Sequence, residues 1–180
     1  MTLATRPSRR QANAAGAVAC ALMMAFALYA QYGLRLTPCN LCLLQRGAVI
    51  LLGLAFLVAA LHDPGRLGAR VDAVLIACAA SLGAFVSARH VWVLAQPPGS
   101  LPSCGADLYT MLEILPVHEA IATVLRGGAE CQVNQWSLFG VSMPAWVLSG
   151  ATVLGLGGLA ANLGLDRAAA RAGAVPSARR

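Results

Sequence analysis

Apolar positions in this chain come in four long runs, each bounded by isolated charges. Between Arg10 and Arg35 lie 24 uncharged residues, more than the roughly 20 that cross a hydrocarbon core as a helix. Residues 47–61 and 73–88 form uncharged runs of 15 and 16. Both fall short of a crossing, so the helices that contain them must carry an ionisable residue at or inside the membrane edge. The last run, 131–165, has 35 uncharged residues, and its apolar part from about Pro144 is long enough to span. The pattern predicts spans over about 12–34, 42–62, 71–90 and 143–165. Helices that satisfy their own backbone and are joined by short links form an up-down bundle in a bilayer. The expected fold class is an all-α membrane protein: a single domain, 1–180, with a four-transmembrane-helix bundle and a long outer loop carrying a short amphipathic helix. The first run follows Arg6, Arg9 and Arg10, as a signal peptide would. Its apolar stretch exceeds the roughly 7–15 residues of such signals, and Leu28-Tyr29-Ala30 is a poor cleavage site, so it is read as a retained helix.

The long loop, about 91–141, opens with the turn-forming "AQPPGSLPSCG". Its middle places Leu108, Leu112 and Leu115, then Val117, Ile121 and Val124, at helical spacing with Pro116 interrupting. One or two short amphipathic helices are expected there, lying on the membrane surface or packed on the bundle.

Charge then fixes orientation. Only 11% of the 180 residues are charged, against roughly 25% in a soluble domain, which excludes a soluble globule. All 13 basic residues are Arg, and the absence of Lys removes Schiff-base catalysis and a P-loop phosphate site. The net charge of +6 does not mark a nucleic-acid partner, because the arginines are scattered among apolar runs. Placing the N-terminus inside puts nine Arg and three Asp on the inner face and leaves the outer face balanced with four of each sign. By the positive-inside rule both tails, 1–11 and 166–180, are cytoplasmic, and the loops at about 32–40 and 91–141 lie outside.

Topology sorts the six cysteines. Cys20 and Cys78 fall within spans and are expected to pack between helices. Cys39, Cys42, Cys104 and Cys131 fall outside, in what would be an oxidising compartment. The C-x-x-C of "TPCNLC" fits a redox pair, a structural disulfide or part of a metal site. Zinc would need two more ligands; Cys104 and Cys131 are available, but they are 27 residues apart rather than a second C-x-x-C, and no metal is assigned. Thr37 and Pro38 suit the N-cap and first turn of the second membrane helix, which would put Cys39 and Cys42 in its opening turns, where the dipole favours thiolate. Arg46 follows Cys42 by four residues, on the same face and one turn deeper. It reads either as a snorkelling interfacial Arg or as the cation that stabilises the Cys42 sulfur or a bound electron acceptor. A Cys104–Cys131 bond would close a loop worth about 3.5 kcal/mol on the chain-entropy model, yet Cys104 sits in turn-rich sequence that an external thiolate can reach.

These pieces together resemble the DsbB family of bacterial inner-membrane, quinone-dependent thiol oxidases. The resemblance rests on "TPCNLCLLQR", "SARHVW", "LPSCGADLYTMLE", "GGAECQVNQWSLFGVSMPAW" and the four-helix order, and covers nearly the whole chain. It implies a quinone-dependent protein-disulfide oxidoreductase with both termini cytoplasmic and its active cysteines periplasmic. It implies that Cys104–Cys131 oxidises a periplasmic DsbA-like dithiol partner through a mixed disulfide at Cys104, and that Cys131 then attacks Cys39. The freed Cys42 thiolate passes its electrons to ubiquinone or menaquinone, with Arg46 holding the charge. His90 and Met143 are expected quinone contacts, with a plain interfacial His and helix-entry packing as the competing accounts. Gln45 stands where many relatives carry an acid, so a carboxylate's role does not transfer. His62 and His118 read as ordinary surface residues. The competing functions are a vitamin K epoxide reductase-like enzyme, in which the C-x-x-C follows the loop cysteines, a cysteine-bearing membrane metal-binding or transport protein, and a scaffold with structural disulfides.

Overall fold

The computed structural model describes residues 8–62, 65–103, 106–133 and 136–164. Among them are four helices long and apolar enough to cross a membrane: α1 (Arg9–Tyr32), α2 (Asn40–His62), α3 (Arg66–Leu94) and α6 (Met143–Leu159), the last continued by a π-helical turn, Ala160–Gly164. The chain is an all-α four-helix membrane protein. Each boundary has a local cause. Ser8 and Gln11 form a reciprocal capping box at the start of α1, and Gly33 ends it. Pro144 occupies the first turn of α6 after the N-cap Ser142. α3 has 29 residues, longer than the uncharged run at its centre, because helix hydrogen bonding continues through the charged segments at both ends, which hold Arg66, Arg70 and Arg89.

α1 packs on α2, α2 on α3 and α3 on α6. Without a hydrophobic difference between lipid and side chain, such helices are held by close packing at small residues. A Cβ on Gly158 would stand 2.7 Å from Ile76 and 2.9 Å from Phe56, and one on Gly16 would stand 2.7 Å from the Phe56 ring. Phe56 thus fills the space that two glycines leave, at the centre of a buried cluster with Cys20, Leu52 and Ile76. Toward the end of the bundle that holds the termini of α1 and α6, Asn13 and Asn162 exchange two amide hydrogen bonds of 3.1 and 2.9 Å with both residues fully buried, pairing polar groups that hydrocarbon would otherwise orphan. Large apolar side chains such as Leu22, Leu54, Leu75 and Val153 face outward, as lipid requires. Cys78 is among the outward-facing residues. The packing role expected for it is therefore corrected: only Cys20 is buried between helices, because residue 78 falls on the lipid stripe of α3.

Both loop helices form: α4 (Leu108–Ile114) and α5 (Val117–Arg126), with Pro116 as N-cap of α5. Asp107 caps α4, and the hydroxyl of Thr110 with nearby backbone amides holds its carboxyl below the usual range. Met111, Ala120 and Val124 turn inward onto Leu41, Val86 and Val93, whereas Ile114 and Val117 stay exposed. A two-residue hairpin, β1 (Ser137–Leu138) with β2 (Val141–Ser142), leads into α6. Its strands are too short to show alternation, and sequence pattern did not anticipate it.

Candidate active site

The second helix starts later than Thr37 and Pro38 imply. α2 begins at Asn40, and the Cys39 carbonyl accepts the first helical bond from Leu43 at 3.1 Å. Cys39 is therefore the N-cap itself, and its sulfur accepts from the Cys42 backbone N–H at 3.4 Å, where a Ser or Thr oxygen would usually sit. This local geometry turns both C-x-x-C sulfurs to one side, 3.0 Å apart and hydrogen-bonded as thiols.

The long loop is fastened over this helix end. Asn40, between the two cysteines, donates to the Ala106 carbonyl at 3.0 Å and accepts from the Leu108 N–H at 2.9 Å. Arg89, near the end of α3, donates to the Leu125 and Arg126 carbonyls at 2.8 and 2.7 Å, capping the C-terminus of α5, and lies 4.0 Å over the Trp92 ring. Gln132 donates to the Val93 and Gln96 carbonyls at 3.2 and 3.0 Å. These contacts bring Cys131 against Cys39. A hydrogen bond from the Cys39 thiol, backed by the N–H groups of Gly128 and Leu41, lowers the Cys131 thiol to about 6, against an opposing push from burial and Glu130. Leu41 belongs to the first turn of α2, so this helix terminus serves a sulfur brought from the loop as well as its own. Cys104 lies outside the described residues. Its neighbour Ser103 hydrogen-bonds Glu130, and the Ala129 N–H donates to Pro102 at 3.2 Å, so the segments leading into both loop cysteines are joined.

Cys39, Cys42 and Cys131 open onto a cavity of about 580 Å³ that is also lined by Arg46, His90 and Met143. The Arg46 guanidinium is turned toward α1, donating to the Gln31 side chain and, at 3.0 Å, to the Ala27 carbonyl. His90 is buried, with only 2% of its surface exposed. Its Nε2 stands 3.7 Å from Cys39 Sγ and its Nδ1 3.4 Å from Gln45 Oε1. Gln45 leaves its Nε2 buried with no hydrogen-bond partner, a donor in the wall of the cavity. The remaining wall is mostly apolar, including Met23, Val147 and Trp146. Trp136 closes it toward α1 through a ring contact of 5.2 Å with Phe26. Asn40, Gln31, Arg89 and Gln132 escaped sequence reasoning. Only Asn40 carried a signal, as a helix-start residue inside the C-x-x-C. His62 and His118 are exposed and stand apart from this site.

A family model described as "Disulfide bond formation protein DsbB" matches residues 9–161. Curated relatives carry the name "Disulfide bond formation protein B". That of Chromohalobacter salexigens is 47% identical over 82% of this chain and 86% of its own length. That of Methylococcus capsulatus is 42% identical over 85% and 92%, and that of Xanthomonas oryzae pv. oryzae is 43% identical over 73% and 77%. No solved structure matches the chain. With a membrane bundle, a C-x-x-C at a helix start and a loop cysteine delivered onto it, the chain belongs to the DsbB family of disulfide bond formation proteins.

Proposed function

We propose that this protein reoxidises a DsbA-like dithiol in the periplasm and passes the electrons to a membrane quinone, with both termini in the cytoplasm. The observation that carries the reading is the contact of Cys131 with Cys39 at the α2 N-terminus, inside one cavity with Arg46 and His90. The net reaction takes two electrons and two protons from the partner's thiols, which become a disulfide, and a quinone, when bound, supplies the two-electron, two-proton acceptor. A DsbA-type protein is already a strong oxidant, so its recharging needs a stronger one.

The partner's thiolate attacks Cys104 of a Cys104–Cys131 disulfide, forming a mixed disulfide and releasing Cys131 as thiolate. Cys131, its thiolate favoured by the N–H groups of Gly128 and Leu41, attacks Cys39 of a Cys39–Cys42 disulfide; the 39–131 bond forms and Cys42 leaves as thiolate. The α2 terminus and Arg46 stabilise that charge inside the membrane edge. The partner's second thiolate then displaces Cys104, giving oxidised partner, and Cys104 returns to Cys131 and frees Cys39. Gln45 and Arg46 are donors suited to carbonyl oxygens, and the apolar wall with Met143 suits a ring. Ubiquinone and menaquinone both meet those demands.

Purified protein with quinone should oxidise a reduced DsbA-like substrate over many turnovers. Cys104→Ala should trap no mixed disulfide and lose turnover. Catalysis that survives removal of Cys39 or Cys42 would overturn the mechanism.

A further inference from the structure

We infer that the reduced protein binds one soft d10 cation of the Zn²⁺ type at Cys39, Cys42 and His90, with Cys131 completing the set. The three ligand atoms lie within 4.8 Å of one another, and Cys39 is their common vertex, 3.0 Å from Cys42 Sγ and 3.7 Å from His90 Nε2. Tetrahedral zinc with Zn–S of about 2.3 Å and Zn–N of about 2.05 Å has S···N edges near 3.6 Å and S···S edges near 3.8 Å. The first edge is already in place. The second needs an opening of less than about 1 Å, which rotation of one cysteine side chain provides.

The surroundings meet the further requirements of a zinc site. Gln45 Oε1 stands 3.4 Å from His90 Nδ1, placed to accept an Nδ1 proton; in that tautomer the Nε2 lone pair is directed at Cys39. Metal-binding histidines are oriented by such a carbonyl partner. Three thiolates and a divalent cation sum to one negative charge, and Arg46 lines the same cavity, so the assembly as a whole is neutral at the membrane edge. Buried sites favour that balance. Binding needs thiols, because a sulfur committed to a disulfide is no thiolate ligand. The site therefore exists only in the reduced protein, and its occupancy withholds Cys39 and Cys42 from reoxidation. Sequence spacing pointed away from metal because it offers no second C-x-x-C; the missing ligand is a histidine from another helix. The inference needs neither quinone nor a partner protein, so it stands or falls separately from the proposed function.

The test is anaerobic titration of the full chain in detergent with Co²⁺, followed by Zn²⁺. Fully reduced protein should take up one equivalent of Co²⁺ with the charge-transfer and intense d–d absorption of tetrahedral thiolate cobalt, and Zn²⁺ should displace it and raise Tm. The oxidised protein, with the same fold, should show none of these changes. Gln45→Ala should weaken binding about tenfold through the His90 orientation, and His90→Gln should weaken it more. Equal uptake by the oxidised protein, a weak octahedral spectrum, or wild-type affinity in His90→Gln would overturn the assignment.

Discussion

Arg46 on α2 donates to the main-chain carbonyl of Ala27 on α1 at 3.0 Å, and its other terminal nitrogen is held by Gln31. A guanidinium so fixed is a pre-positioned charge in the cavity, not a mobile one. Arg46→Ala should raise the apparent KM for quinone, and Gln31→Leu should do so more weakly while leaving the charge in place. A hydrogen bond to a charged group is worth about 1.5–3 kcal/mol, so a rise of about ten- to a hundredfold is expected for Arg46→Ala. Steady-state quinone titration checks it; an unchanged KM in both variants would leave Arg46 with a structural role alone.

Arg89 acts at a distance from the sulfurs. Its two bonds to the end of α5 and its stacking on Trp92 set the path of the chain into Cys131. Arg89→Met should slow formation of the 39–131 disulfide about tenfold, the equivalent of about 1.4 kcal/mol of misplacement. Reduction of quinone by a pre-reduced Cys39–Cys42 pair should not change. Quenched-flow thiol trapping separates the two steps. Arg89→Lys should not rescue, since one ammonium cannot reproduce the fork that reaches both carbonyls.

The contrast between these two arginines shows what sequence could reveal. The spans were legible because hydrocarbon thickness imposes a length of apolar chain, and the C-x-x-C with Arg46 was legible because helix periodicity relates residues four apart. The partners of Arg46 were not, since Gln31 and Ala27 come from a neighbouring helix whose rotation no local rule specifies. The same holds for His90, which meets Cys39 across 51 positions of sequence, and for Cys78, whose helix face decides between packing and lipid. Thr37 misled for a different reason: it is the stronger capping residue by propensity, but Cys39 takes the cap and thereby aims its own sulfur.

Two glycines on α6 give a packing test. A Cβ on Gly155 would meet the Cβ of Ala80 at 2.6 Å, whereas one on Gly157 meets nothing within 4 Å. The Ala80 Cβ is fixed to the backbone, so relief requires α3 and α6 to separate. Gly155→Ala should cost about 1–3 kcal/mol, and Gly157→Ala should be neutral or gain up to about 1 kcal/mol in helix propensity. Denaturant unfolding in micelles distinguishes them, and equal effects would contradict the close approach of the two helices.

The depressed Cys131 thiol sets the pH dependence of the internal transfer. An ordinary cysteine titrates near 9, whereas Cys131 is lowered to about 6. Its thiolate is the attacking form; once Cys39 is in a disulfide and no longer donates, the amides of Gly128 and Leu41 still lower the Cys131 thiol, so the rate of 39–131 bond formation should rise with pH and level off below the ordinary cysteine range, at a midpoint above that of the fully reduced protein. The stability sign follows from the same shift: a lowered pKa favours the folded arrangement fully above pH 9, and the gain disappears as pH falls through 6. Glu130 opposes the thiolate, so Glu130→Gln should move the midpoint further down. Single-turnover measurements across pH 4–9 read the midpoint. A rate that climbs through pH 9 in the wild type would mean that the amides of Gly128 and Leu41 do not hold this sulfur as an anion during attack.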